Sequence, residues 1–331
     1  MVKLSILDQS PISSGTTAQQ ALQASVQLAQ LGESLQYERY WIAEHHDLFG
    51  LACPNPDVML GVIGSQTNSI RIGAGAVLLP YYKPFRVAET YNLLATLFPG
   101  RIDLGLGRAP GGSAEVSMAL SDNYLQEVGK FPEKIDELLN FIHQTMPKEH
   151  LFSHIKASPV PEIPPKVWLL GTSKKSAYLA AEKGLPYAFG HFMSDFDGVS
   201  IANHYRESFQ KQHDSEPYVI VAVHAICAKS TEEAHELAKS TLAWQLMQEK
   251  SNEDVKIPSL QEVEAYKWTE EDQLRMEKKK RSMVIGNPDE VKGKLEHVAR
   301  LYKADELMII TITHDQAAKF NSYRLIAEAM M

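Results

Sequence analysis

The residues best able to do chemistry gather in short clusters. Glu44-His45-His46 sets a carboxylate beside two imidazoles. A histidine can take up or release a proton near neutral pH, so one of the pair is a candidate proton-transfer group. The alternative is that both rings only hydrogen-bond neighbouring loops. No metal site is expected, because adjacent histidines seldom converge on one ion and no further ligand set accompanies them.

Gly171-Thr172-Ser173 runs into Lys174-Lys175-Ser176. Small residues, hydroxyls and free N–H groups at the positive end of a helix suit a phosphate. An ordinary serine N-cap would carry the same letters. Arg108, after Gly105-Leu106-Gly107, could grip that phosphate with two donors or form a salt bridge on a rim. Gly73-Ala74-Gly75-Ala76 lacks side-chain bulk, which suits either a flat ring lying on backbone or a crowded inner layer of strands. Trp41 and Trp168 read as core, and Gly111-Gly112 as a flexible loop.

Each cluster follows a short apolar run, and these runs must position it. Strands are predicted over Lys3–Leu7, Arg39–Ala43, Ile70–Leu78, Ile102–Leu106, Val167–Leu170, Tyr187–Phe189, Val219–Ala228 and Glu306–Thr311. Helical patterns alternate with them at Thr17–Leu35, Asp57–Thr67, Arg86–Leu97, Lys174–Lys183, Phe196–His213, Thr231–Gln248, Pro288–Leu301 and His314–Met330. Such alternation implies a parallel sheet covered by helices, and eight repeats imply an α/β fold of the (β/α)8 TIM-barrel type. A barrel builds its site just beyond the C-terminal ends of its strands, where the clusters fall. His191, Phe192 and Met193 after strand six are candidate pocket walls. Tyr81-Tyr82 after strand three could be pocket wall or aromatic packing.

Ser230-Thr231-Glu232-Glu233 can cap a helix, and Gly32 or Gly184 can end one. The stretches 109–165 and 250–285 are longer than a minimal barrel needs and read as insertions in one domain over 1–331. The second is polar and charged, a candidate lid.

Composition narrows the class. A chain of 331 residues with formal net charge -8 has no excess of cations to offer nucleic acid. The basic run Lys278–Arg281 follows acidic residues and reads as a solvated helix face. Two distant cysteines, Cys53 and Cys227, fit neither a disulfide framework nor a zinc site. Met1–Asp8 is too short and too soon acidic for a secretory signal, and no run approaches the ~18 apolar residues of a membrane span. The expectation is a cytoplasmic enzyme.

Three longer segments carry a resemblance. Trp41-Ile42-Ala43-Glu44-His45-His46, Ile72–Pro80 and Phe98–Gly112 resemble the bacterial-luciferase-like family of flavin-dependent monooxygenases, as do strand five and Ala304–Met308. The resemblance implies reduced FMN, supplied by a separate flavin reductase, and O2 forming a C4a-hydroperoxide that oxygenates a small organic substrate. It implies that His45 is catalytic, with Glu44, His46 and His191 near the substrate. A non-proline cis peptide at Gly75-Ala76 would lie against the flavin ring, and Arg108, Thr172, Ser173 and Ser176 would hold its phosphate. It further implies dimers through the helices near strands two and three, with Glu89 an interface acid. Gly107 and Thr172-Ser173 depart from luciferase, which has Cys and Glu-Ser there, so the non-luminous branch matches better. With no sign of a second subunit type, a homodimer is expected. A deazaflavin (F420)-dependent oxidoreductase and a non-catalytic flavin-binding protein are the alternatives.

Overall fold

The computed structural model describes residues 2–212, 215–250 and 255–330. In chain order, β1 (Lys3–Asp8), α1 (Ala18–Ser34), β2 (Arg39–Ile42), α2 (Pro56–Ser65), β3 (Arg71–Leu78), α3 (Pro84–Leu97) and β4 (Ile102–Gly107) come first. Three helices follow, α4 (Ala114–Leu120), α5 (Tyr124–Gly129) and α6 (Phe131–His143). β5 (Lys166–Gly171), α7 (Lys174–Glu182), β6 (Tyr187–Gly190) and α8 (Gly198–Ser208) come next. Beyond β7 (Val219–Cys227) lie α9 (Thr231–Lys250), α10 (Leu260–Ala265), α11 (Glu270–Lys280) and a short β8 (Val284–Gly286). The last three are α12 (Pro288–Tyr302), β9 (Glu306–Ile310) and α13 (Gln316–Met330).

All pairings between these strands are parallel, and the order β1-β2-β3-β4-β5-β6-β7-β9 returns to β1 through Lys3↔Glu306, closing an eight-stranded barrel. The eight predicted strands are these eight, within a residue or two at each end. β8 pairs only with the end of β7, at Ala225↔Val284, and stands outside the ring. It straddles the end of the stretch 250–285, where so short a run gives no periodic signal. α6 lies inside 109–165, and its buried Phe131, Ile135, Leu138, Phe141 and Ile142 recur at helical spacing. They pack on α3, with the Phe85 and Phe141 rings 5.1 Å apart.

Helix ends follow local chemistry. The hydroxyl of Ser230 accepts from Glu233 N at 3.2 Å, and Gly184 takes φ +61 just past α7, as expected. Gly32 does not end its helix. A Cβ there would stand 2.8 Å from Ile6 Cδ1, so it is a close-packing residue inside α1, and Gln36 (φ 59) makes the left-handed step instead. The predicted helix over 196–213 starts at Gly198, capped by Asp197, and ends at Ser208; His213 lies outside the described residues. Among the described residues no helix is long and apolar enough to cross a membrane.

The barrel interior is layered. At its floor Arg39 donates to Glu306 (2.8 and 3.1 Å) and to Asp103 (2.6 Å), Arg71 also holds Asp103, and Ser5 bonds Glu306. Above this plug, Trp41 and Trp168 meet edge to face at 5.4 Å. Neighbouring strands explain the small residues of β3: a Cβ at Gly73 would come 2.5 Å from Asp103 O and 2.9 Å from Trp41 Nε1, and one at Gly75 3.0 Å from both Leu7 Cδ1 and Trp41 Cε3. The crowded-layer reading of β3 therefore holds whatever lies above it.

Candidate active site

Just past β2, Glu44 is buried and fully engaged. Its carboxylate accepts from Tyr82 Oη (2.6 Å) and from the Leu78 N–H (3.0 Å), and pairs with His46 Nε2 at 2.9 Å. Glu44 thus locks the end of β2 to the end of β3 and orients His46, whose own N–H donates to Gly111 O. The adjacent His45 differs. Its N–H donates to Cys53 O, but its enclosed ring Nδ1 has no hydrogen-bond partner. The loop-bonding alternative therefore fits His46 and not the His45 ring.

The β3 wall carries a cis peptide at Gly75-Ala76 and an irregularity in its pairing with β4 between Ala74 and Val77. On the next two strands stand the groups singled out for a phosphate. Ser173 caps α7 and forms a reciprocal capping box with Ser176. Ser176 also shares a hydrogen bond with Tyr187 Oη at 3.0 Å, and Gly171 makes the room, since a Cβ there would overlap Ser176. The serine-cap reading is thus real. It still leaves the Lys174 and Lys175 N–H groups, which have no intrahelical partner, at the positive end of α7. Arg108 is exposed at the end of β4 and pairs with no carboxylate among the described residues. Burial pushes the Tyr187 phenol above its ordinary range, while the Ser176 hydrogen bond and then the Arg108 charge oppose this, which sets Arg108 near the hydroxyl that Ser176 touches. The structure therefore brings Arg108, Ser173 and Ser176 to one side of the mouth, and that side fits a phosphate.

Residues beyond β7 close the opposite side. Ile257 exchanges backbone hydrogen bonds with Ile12 (2.9 Å) and Ser14 (2.8 Å) in the loop after β1. Trp244 Nε1 donates to Val255 O at 3.1 Å. Trp244, Ile257, Ile310 and Ile312 join the same apolar cluster as Trp41 and Trp168. His191 turns outward: its Nδ1 meets Tyr302 Oη at 2.9 Å. It lines a separate cavity of about 570 Å³ with His235, Lys280 and Lys294. Phe192, next to it, takes the inward place against His224, at 5.3 Å between rings.

Sequence reasoning did not weigh His224. The signal was available, since it is the one histidine in the apolar run Val219–Cys227 and shares the parity of Ile220 and Ala222. It is buried, and like the half-buried His45 it has an enclosed Nδ1 without a partner.

Burial penalises the imidazolium of both rings and lowers each pKa from 6.5 to about 4, with His46 adding to the effect at His45. In the unfolded chain both would take up protons near pH 6.5. Stability is therefore expected to fall as pH drops from 6.5 toward 4, by up to about 3 kcal/mol per ring. Urea melts of wild type and His224→Phe at pH 7 and 4.5 test this, and the variant should lose less stability between the two.

The family model described as luciferase-like monooxygenase matches residues 2–304. YceB of Bacillus subtilis is 41% identical over 332 residues, covering 100% of both chains. The N-acetyl-S-alkylcysteine monooxygenase of the same organism is 33% identical, covering 100% of this chain and 99% of its own. The crystal structure of apo-MsnO8 superposes with TM-score 0.89 at 33% identity, covering 99% of this chain and 97% of its own. Two more distant structures share the fold. One is the oxygenating constituent of 3,6-diketocamphane monooxygenase from Pseudomonas putida with FMN (TM-score 0.72, 17% identity, 100% of this chain and 98% of its own). The other is an F420-dependent secondary alcohol dehydrogenase (TM-score 0.66, 13% identity, 100% and 99%). With its closed parallel barrel and a match along nearly its whole length, the chain belongs to the luciferase-like monooxygenase family and is an oxidoreductase.

Proposed function

We propose that this enzyme takes reduced FMN from a separate flavin reductase and uses O2 to oxygenate a small organic molecule. The observation that carries the reading is the convergence of Arg108 and the α7 N-terminus on one side of the mouth, beside the Gly75-Ala76 wall. Reduced flavin would supply the two electrons that send one oxygen atom of O2 to the substrate and the other to water. Arg108 and the first turn of α7, with Thr172, Ser173 and Ser176, would hold the phosphate. Backbone at Gly75-Ala76 would support the ring. His45, neutral and unpaired at Nδ1, would move a proton at the reacting centre. Val255–Ile257, strapped to the loop after β1, would limit water entry from the β7 side. The FMN-bound relative supports this cofactor, and the F420-dependent one makes F420 the comparison to run.

Titration of the protein with FMN and with F420, followed by reduction and exposure to ¹⁸O2 with neutral ketones and thioethers, tests the reading. FMN binding and one ¹⁸O atom in product are expected; binding of F420 alone, with no ¹⁸O uptake, would overturn it. Arg108→Ala is expected to weaken FMN roughly tenfold to hundredfold, the range for a charged hydrogen bond. Riboflavin, which lacks the phosphate, should bind both proteins alike in fluorescence titrations.

The same reading includes a cytoplasmic homodimer. Both cysteines are free and buried, which suits a reducing compartment. Val58 and Val62 of α2 and Leu93 and Leu97 of α3 are 44–65% exposed, and Glu89 lies on the same helix as the two leucines. Such apolar groups on neighbouring helices suit a self-complementary interface. Sedimentation should give twice the 37.0 kDa chain mass, and the pair Val62→Lys and Leu97→Lys should shift it to monomer.

A further inference from the structure

The proposed flavin placement leaves the far wall of the mouth without a task. In the closed strand order β7 lies opposite β3, four strands away in either direction. A ring resting on Gly75-Ala76 therefore looks across the mouth at β7. Ile220 and Ala222 of β7 face the interior with Trp41 and Trp168, and His224 continues their register beside Ile310 of β9. Its ring is 3% exposed, touches Phe192, and has an enclosed Nδ1 without a partner. No described residue hydrogen-bonds its Nε2 either.

Buried polar atoms are normally paired, and an orphan inside an otherwise apolar wall asks for a partner from outside the chain. An enclosed nitrogen is better tolerated as a bare acceptor than as an unpaired N–H, which places the proton of the neutral ring on Nε2. The described neighbours of His224 on this wall, Phe192, Ala222 and Ile310, are uncharged, so they offer no cation to receive an anionic group. A carboxylate or sulfonate placed here would lose its hydration for one neutral donor.

We infer that His224 is a specificity-determining contact that donates from Nε2 to a hydrogen-bond acceptor on a neutral, otherwise apolar substrate held between β7 and the flavin. The inference rests on the flavin reading of the mouth. Phe192, Trp244 and Ile312 would cover the apolar body of the substrate, and His224 would fix the end that carries the carbonyl, ether or thioether. His45, just past the end of β2, would then act on that substrate from the side rather than from across the mouth.

Cyclohexanone, cyclohexane and cyclohexanecarboxylate share a ring and differ in charge and acceptor. Each is titrated into FMN-loaded and FMN-free protein labelled with ¹⁵N-histidine, reading affinity by calorimetry and the His224 ring nitrogens by NMR. The ketone should bind about three- to tenfold tighter than cyclohexane and move the His224 signals. His224→Phe should bring the two affinities within about twofold, and His224→Gln, which keeps an N–H donor, should restore the preference. A ketone preference that survives in His224→Phe, or a carboxylate that binds as tightly as the ketone, would overturn the inference. Failure of wild type to bind FMN would instead strike the flavin reading, while the FMN-free titrations still judge His224.

Discussion

His45→Ala is expected to cut oxygenation by about a hundredfold to ten-thousandfold, the usual contribution of a positioned proton-transfer group, while FMN affinity stays within about twofold. The expectation comes from contrast between neighbours. Glu44 already has three partners and His46 is tied to it, so His46→Ala should act mainly through the loop and cost much less. The His45 ring has no protein partner at Nδ1 and is held neutral by burial, so it enters the reaction able to accept a proton. Single-turnover measurements with pre-reduced FMN, following ¹⁸O in product and H2O2 released, separate chemistry from binding. If His45→Ala kept activity within about fivefold of wild type, the proton-transfer role would be lost.

The second large effect is on stability. Arg39→Leu should destabilise the fold by about 3–5 kcal/mol, because it leaves two buried carboxylates without their shared cation. Arg39 is 2% exposed, Asp103 and Glu306 are 0% exposed, and the guanidinium also lies 4.6 Å from the Trp168 ring. Arg71 still reaches Asp103 in the variant, so Glu306 bears most of the loss. Urea denaturation of wild type and variant at pH 7 measures the deficit.

Much of this architecture can be read from the chain because barrel strands announce themselves. Val219–Cys227 and Glu306–Ile310 are apolar on both faces, as strands with core inside and helices outside must be, and turn residues bound them. β8 has three residues and borrows its pairing from the end of β7, so its identity depends on a partner far away in sequence. α6 has a clear helical period but follows a long polar stretch, and it was hidden by being counted with that stretch. The candidate site shows the same division. The Ser173–Ser176 letters mark a helix start, yet a capping box and a phosphate loop use identical residues, and only the nearness of Arg108 to Tyr187 points beyond the cap. His45 and His46 cannot be told apart by composition. Glu44 separates them, through a bond that depends on where β3 and Tyr82 lie. His224 was legible and passed over, since a lone histidine in an apolar run reads as core until its empty Nδ1 is seen.

The ring closes where Lys3–Ile6 of β1 pair with Glu306–Ile309 of β9, and the floor cluster joins Ser5 and Arg39 to Glu306. Until β9 has formed, β1 has an unpaired edge and Arg39 lacks one of its two carboxylates. A ribosome must therefore release almost all of the chain before the first strand finds its last neighbour. That closing pair bridges about 300 residues of chain, the longest loop the barrel has to close, so it is expected to be the last contact of the ring to form.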